Sequence, residues 1–144
     1  MIKRKNKIIS LKFYLKKKYD YEYDPIPTEQ EIIDLAKQAF KRFEMYRKKI
    51  DFSSNTVILI EFSEKIFIKL SSNGESISFI SKQESQNEKK YIKIFLDPRL
   101  LKRLLQGPKY AHWQVADGGS HLTYDRFPNN YERGLNYCLC YFHN

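Results

Sequence analysis

Histidine, acidic and aromatic side chains are concentrated near the C-terminal end of the chain. His112, Asp117 and His121 lie within ten residues of one another in a segment that contains glycine. Two imidazoles and one carboxylate suit non-haem iron or zinc, so a small metal-dependent enzyme or subunit could use these three residues. Two histidines and an acid at this spacing also occur by chance, and the segment has no HExxH-like regularity. The pattern therefore favours a packed, hydrogen-bonded His112, and we expect neither a metal nor another cofactor.

The same segment offers hydrogen-bond donors and flat aromatic faces that suit an anion, a sugar or a nucleotide. The residues predicted to bind a ligand or a partner are His112, Trp113, Asp117, His121, Tyr124, Arg126, Tyr131 and Arg133. No catalytic residue is predicted. Ser120, His121 and Asp125 do not form a hydrolase triad, because neighbouring residues of a strand point to opposite faces.

The positive charge of the chain lies mainly at its start. The net charge is +9, and residues 1–18 carry +8 without any acid, which leaves 18 basic and 17 acidic side chains in the other 126 residues. The basic residues of this arm are Lys3, Arg4, Lys5, Lys7, Lys12, Lys16, Lys17 and Lys18. Such an arm could bind nucleic acid through phosphates, although a solvated tail is the more common role. We expect the arm to be dispensable for folding.

The cysteines and the hydropathy indicate the compartment. Cys138 and Cys140 are separated by one residue, a spacing that strains a mutual disulfide, so two free thiols and a reducing compartment are predicted. No apolar run approaches the roughly 20 residues that a transmembrane helix needs. The start of the chain lacks a secretory cleavage site. The prediction is a cytoplasmic protein without a membrane span.

The order of predicted elements gives the fold class. Thr28 and Glu31 form a capping box before a helix that extends to residue 50. Four runs rich in Ile, Val and Phe follow between residues 56 and 96, separated by short breaks that predict antiparallel hairpins. Asp97 and Pro98 start a Leu-rich helix that ends at Gly107.

The remaining residues are predicted as an extended stretch around Trp113, a strand at 120–126, and a final helix capped by Asn129 or Asn130. The predicted fold is therefore α+β: an antiparallel meander of four to five strands covered by an N-terminal helix, with a short middle helix and a C-terminal helix. Residues 1–27 form the basic arm and a connector, and residues 28–144 form a single domain. Trp113 is expected to be buried, with His112 and Arg126 facing a shared polar cleft.

A set of residues in the C-terminal third carries a resemblance to a known family. These residues are Gly107, His112, Trp113, Asp117, Gly119, Ser120, His121, Arg126, Pro128, Tyr131 and Glu132. They resemble the C-terminal accessory segment that follows the metallo-β-lactamase-fold domain in bacterial proteins of the UDP-N-acetylmuramate hydroxylase and Rieske type. The order of elements also resembles the sterol-carrier-protein-like α+β architecture.

The chain departs from that family in its catalytic motifs. The sequence contains neither the His-x-His-x-Asp-His cluster of a metallo-β-lactamase domain nor the paired Cys and His ligands of a Rieske centre. The resemblance thus implies an accessory domain without its enzyme. We expect a non-catalytic small-molecule-binding or assembly module that acts beside a partner enzyme, such as a metallo-β-lactamase-fold hydrolase or hydroxylase. The expected partners are a protein or a second copy of the chain, and an apolar or anionic small ligand.

Overall fold

A computed structural model describes residues 18–144. Most of the basic arm lies outside these residues. The predictions that Lys3, Arg4, Lys5, Lys7, Lys12, Lys16 and Lys17 bind nucleic acid, and that the arm is dispensable for folding, therefore fall outside the described part of the chain. Lys18 lies at its edge, with the ammonium 5.8 Å from the centre of the Tyr23 ring.

The first long helix, α1, spans Glu29–Lys49 and begins as the sequence predicts. The Thr28 hydroxyl accepts a hydrogen bond from the backbone N–H of Glu31, and the Glu31 carboxylate accepts one from the N–H of Thr28. This reciprocal pair satisfies two backbone donors that a helix start leaves free. The face that α1 buries consists of Ile32, Ala36, Ala39 and Phe43.

The described residues contain five strands in one sheet. They are β1 Val57–Glu61, β2 Ile66–Ser71, β3 Ser78–Ser81, β4 Tyr91–Phe95 and β5 Thr123–Phe127. Their spatial order is β3-β2-β1-β4-β5. The predicted α+β fold class and a sheet of five strands are therefore confirmed.

The prediction of a purely antiparallel meander is wrong, because β4 pairs with β1 in parallel. Val57 lies opposite Tyr91, and Ile60 lies opposite Ile94, while the other three strand pairs are antiparallel. The sequence of β1 explains its central place. Its first four residues are all buried, so both faces of β1 are covered, as is typical of a central strand.

The segment between β3 and β4 makes this crossover possible. It contains a short helix, α2, at Lys82–Ser85, and returns the chain across the sheet to the start of β4. Ser85 is fully buried, and Glu88 forms an ion pair with Lys69 of β2 at 2.6 Å. The segment thereby lies against the sheet face that carries the smaller apolar cluster of Val57, Leu59 and Phe67.

Three further helices complete the fold: α3 Pro98–Gln106, α4 Trp113–Gly118 and α5 Arg133–Leu139. Asp97 caps α3 and Pro98 begins it, as predicted. Helix α4 replaces the predicted extended stretch, because the His112 side chain accepts from the N–H of Gln114 and so caps a helical turn. Glu132, not Asn129 or Asn130, is the N-cap residue of α5.

The main core lies between the sheet and the helices. It includes the buried residues of α1, the leucines of α3, Trp113 of α4 and Phe142, packed on the Ile-rich face of β1, β2 and β4. Helix α1 contacts both α3 and α5. Among residues 18–144, no helix is long and apolar enough to cross a lipid bilayer.

The connector before α1 is attached to the domain. Residues Asp20–Tyr23 form a 3₁₀ turn. Arg103 of α3 binds the Asp24 carboxylate at 2.6 Å, and Arg99 donates to the backbone oxygen of Glu22 at 2.8 Å. The hydrogen bonds from Arg103 hold the pKa of Asp24 below its ordinary value.

Gly107 and Gly118 together test whether the end of α3 requires a glycine. Gly107 ends α3 with a φ of 118°, and a Cβ there would lie 2.9 Å from the backbone oxygen of Asn144. A Cβ on Gly118 would meet nothing within 4 Å. We expect Gly107→Ala to lower the free energy of unfolding by about 1–3 kcal/mol, because only glycine adopts this conformation without strain.

Gly118→Ala is the control, and we expect it to raise the free energy of unfolding by up to about 1 kcal/mol through helix propensity. Urea denaturation measures both variants. Equal stability of the two variants would contradict this description of the end of α3.

Candidate ligand-binding site

A partly enclosed cavity lies between the end of the sheet and α5. We call it the β5–α5 cavity. Its volume is about 90 Å³, and its walls include Ile92 of β4, Tyr124 and Arg126 of β5, and Leu135 and Leu139 of α5. The cavity therefore has an apolar wall from the helix opposite a polar wall from the edge strand.

Strand register determines which β5 side chains face this cavity. Arg126 pairs with Ile92 and Tyr124 pairs with Ile94, so both side chains share the helix-covered face of the sheet. Thr123, Asp125 and Phe127 point to the other face and are exposed. The edge strand β5 thus directs the side chains of Tyr124 and Arg126 toward α5.

Two carboxylates border the cavity, and both accept hydrogen bonds from hydroxyl groups of the protein. One oxygen of Glu132 accepts from Ser54 at 2.6 Å, and the other accepts from Thr56. Asp117 accepts from the Tyr124 hydroxyl at 2.9 Å. Burial raises the pKa of Tyr124 and this bond raises it further, so the hydroxyl remains a donor.

The two bases at the cavity, Arg126 and Lys90, lack such partners. Neither has a carboxylate oxygen within 4.0 Å among residues 18–144. The Arg126 guanidinium instead lies over the Tyr124 ring, with its carbon 5.7 Å from the ring centre. A guanidinium held against an aromatic ring keeps its donors free for a planar anion.

Four of the predicted binding residues meet at this cavity: Asp117, Tyr124, Arg126 and Tyr131. Tyr131 lies at the mouth, where it is 64% exposed. Arg133 is exposed on the first turn of α5 and does not line the cavity. Sequence reasoning missed Thr56 and Lys90 as cavity residues, because their proximity depends on the parallel pairing of β1 with β4.

His112 and His121, the two histidines among the predicted binding residues, lie in a second depression that we call the connector cavity. It has a volume of about 260 Å³ and lies between the 3₁₀ turn and α4, with His112 and His121 in its wall. The prediction that His112 and Arg126 share a cleft is therefore wrong. His121 contacts the connector: its Nδ1 lies 3.1 Å from the Tyr21 hydroxyl, and its ring meets that of Tyr19 edge-on.

The three residues considered as metal ligands have separate partners. His112 caps α4, Asp117 binds Tyr124, and His121 binds Tyr21. Within residues 18–144, no group of three or more His, Cys, Asp or Glu side chains could hold a metal ion.

The cysteines are both free thiols, as the sequence predicts. Cys138 is fully buried, and this burial raises the pKa of its thiol to about 11. Burial also raises the pKa of Cys140. A thiolate is the form that binds metals and attacks electrophiles, so both cysteines are held in their less reactive form.

Comparisons of the chain with models of protein families, with curated proteins and with solved structures found no match. The resemblance to the accessory segment of metallo-β-lactamase-fold proteins stays a prediction.

Trp113 lines neither of these cavities and is 3% exposed, so it is buried in the core as predicted. Its indole N–H donates to the backbone oxygen of Phe142 at 2.9 Å. We expect Trp113→Ala to lower the free energy of unfolding by about 3–5 kcal/mol, because it removes a large buried side chain and a buried hydrogen bond.

Val115→Ala is the matched control on the same helix, since Val115 is 71% exposed. This change should alter the free energy of unfolding by less than about 0.5 kcal/mol. Thermal and urea denaturation report both values, and a Trp113→Ala variant as stable as the control would refute the burial of Trp113.

Proposed function

We propose that this protein is a non-catalytic binding module for a small anion with an apolar body, and that the ligand occupies the β5–α5 cavity. The proposal rests on one observation: Arg126 lies at the cavity without a carboxylate partner among the described residues. Arg47, Arg99 and Arg103 each bind a carboxylate at 2.6–2.8 Å. Arg126 is partly buried at a cavity and has no such partner among the described residues.

The cavity lining carries two bases and two acids, and its free hydrogen-bond donors favour an anion over a cation. The carboxylates of Asp117 and Glu132 already accept hydrogen bonds from tyrosine, serine and threonine hydroxyls. The donors of Arg126 and Lys90 remain available to a ligand. A carboxylate or phosphate that bridges these two bases would gain charge-assisted hydrogen bonds.

The opposite wall supports an apolar ligand body. Leu135, Leu139 and Ile92 face the cavity, and Tyr131 can cover the ligand from the mouth. Pockets of this composition orient a ligand with few polar groups and stabilise it by burial of its apolar surface. Action beside a partner enzyme is a further part of the proposal, and it rests on the resemblance of residues 107–132 alone.

Benzoate and its neutral analogue benzamide test the anion requirement. They have the same shape, so any difference in affinity reports the charge. We expect benzoate to shift the amide NMR signals of Tyr124, Arg126 and Leu135, and benzamide to bind at least about tenfold more weakly, because hydrogen bonds to a charged group contribute about 1.5–3 kcal/mol.

Arg126→Gln should weaken benzoate binding at least about tenfold, for the same reason. The matched control is Arg133→Gln, which removes the same charge from the first turn of α5, outside the cavity lining. This control should bind benzoate like the parent. Equal affinity of the two variants, or equal shifts with benzamide, would exclude the proposed anion site.

A further inference from the structure

We infer that the ligand of the β5–α5 cavity carries an apolar tail, and that this tail occupies a third cavity beside it. The inference rests on the proposed function, because the tail needs an anionic head that is bound at Arg126. We call the third cavity the α4–α5 cavity, since its walls come from those two helices and from the start of β5. The ligand class that fits both cavities is an elongated carboxylate, such as a benzoate with a short alkyl chain.

The two cavities are direct neighbours. Four residues line both of them, namely Asp117 of α4, Tyr124 of β5, and Asn136 and Leu139 of α5. The α4–α5 cavity has a volume of about 140 Å³, compared with about 90 Å³ for the β5–α5 cavity. A cavity of about 150 Å³ is large enough for benzene, so the α4–α5 cavity can hold a group with the bulk of a butyl chain.

The inner wall of the α4–α5 cavity is apolar. Trp113, Leu122 and Leu139 line it and are 3%, 8% and 4% exposed. An alkyl chain placed against these side chains is stabilised in proportion to the apolar area that it removes from water. This wall therefore suits the uncharged end of a ligand.

The distribution of charge gives the ligand one orientation. Among the described residues, no lysine or arginine lines the α4–α5 cavity, and its one acid, Asp117, would repel a carboxylate. Both bases, Lys90 and Arg126, line the β5–α5 cavity. The head of an elongated acid therefore binds at Arg126, and its tail points toward Trp113.

The hydrogen bond between Tyr124 and Asp117 lies at the boundary of the two cavities. The Tyr124 hydroxyl donates to the Asp117 carboxylate at 2.9 Å, and both residues line both cavities. Asp117 is exposed near the end of the six-residue helix α4, so water can replace Tyr124 as its donor. A tail that follows the shared Leu139 side chain past the Tyr124 ring therefore breaks only this exposed hydrogen bond.

The test compares 4-butylbenzoate with benzoate by two-dimensional NMR on the full chain. We expect 4-butylbenzoate to bind at least about tenfold more tightly, because each fully buried methylene strengthens binding about fourfold. The chain has one tryptophan, so its single indole N–H signal reports the α4–α5 cavity. The signals of the Trp113 indole and the Leu122 amide should shift with 4-butylbenzoate and stay unchanged with benzoate.

Cys140→Met tests the position of the tail. Cys140 lines the α4–α5 cavity but not the β5–α5 cavity, and a longer side chain there takes up room that the butyl chain needs. In this variant the affinity ratio of 4-butylbenzoate to benzoate should fall about tenfold, because the chain then remains in water. Val115→Met is the control, since it adds a methionine at a 71% exposed position of α4 outside the cavity, and it should keep the ratio of the parent.

The outcomes distinguish a failure of this inference from a failure of the proposed function. If neither acid binds the parent, the anion site is excluded, and the inference with it. If benzoate binds but 4-butylbenzoate binds no more tightly, or leaves the Trp113 indole signal unchanged, only the tail site is overturned. Equal affinity ratios in Cys140→Met and Val115→Met would also overturn the tail site, and the measurement on the parent decides the question if Cys140→Met does not fold.

Discussion

The parallel pairing of β1 with β4 determines where the polar groups of the proposed site lie. Because Val57 lies opposite Tyr91, the two strands begin at the same edge of the sheet, and the residues just before them, Thr56 and Lys90, become neighbours. Strand β5 then pairs with the outer side of β4 and places Arg126 beside Ile92. Without this parallel pair, a lysine and a threonine 34 residues apart in the chain would not line one cavity.

Glu132 connects this sheet edge to the helix that covers it. Its carboxylate accepts hydrogen bonds from Ser54 and Thr56 before β1, and the residue itself precedes the first turn of α5. The contact therefore fixes the start of α5 over the strands, and with it the apolar wall formed by Leu135 and Leu139. It also occupies the Glu132 carboxylate, and the Tyr124 hydroxyl occupies that of Asp117, so the free hydrogen-bond donors lie on the side of Arg126.

The sequence predicts local features well and long-range ones poorly, for identifiable reasons. The cap at Thr28, the helix after Asp97 and the burial of Trp113 depend on neighbouring residues or on side-chain size, and all three are confirmed. Strand alternation shows which face a residue occupies but not which strand lies beside it, so the crossover to β4 was not predictable. The contact of Glu132 with Thr56 spans 76 residues and follows only from that crossover. Helix α4 has six residues, too few for its apolar period to stand out from an extended stretch.

We propose that the strand pairing assembles an anion-binding cavity with Arg126 as its charged anchor. A crystal structure of the protein with 4-iodobenzoate measures this most directly, because anomalous scattering from iodine locates the ligand without ambiguity. We expect one iodine peak between β5 and α5, near Leu135 and Leu139, with the carboxylate within hydrogen-bond distance of the Arg126 guanidinium. Iodine peaks confined to exposed lysines, or an Arg126 side chain turned into solvent beside an empty cavity, would contradict it.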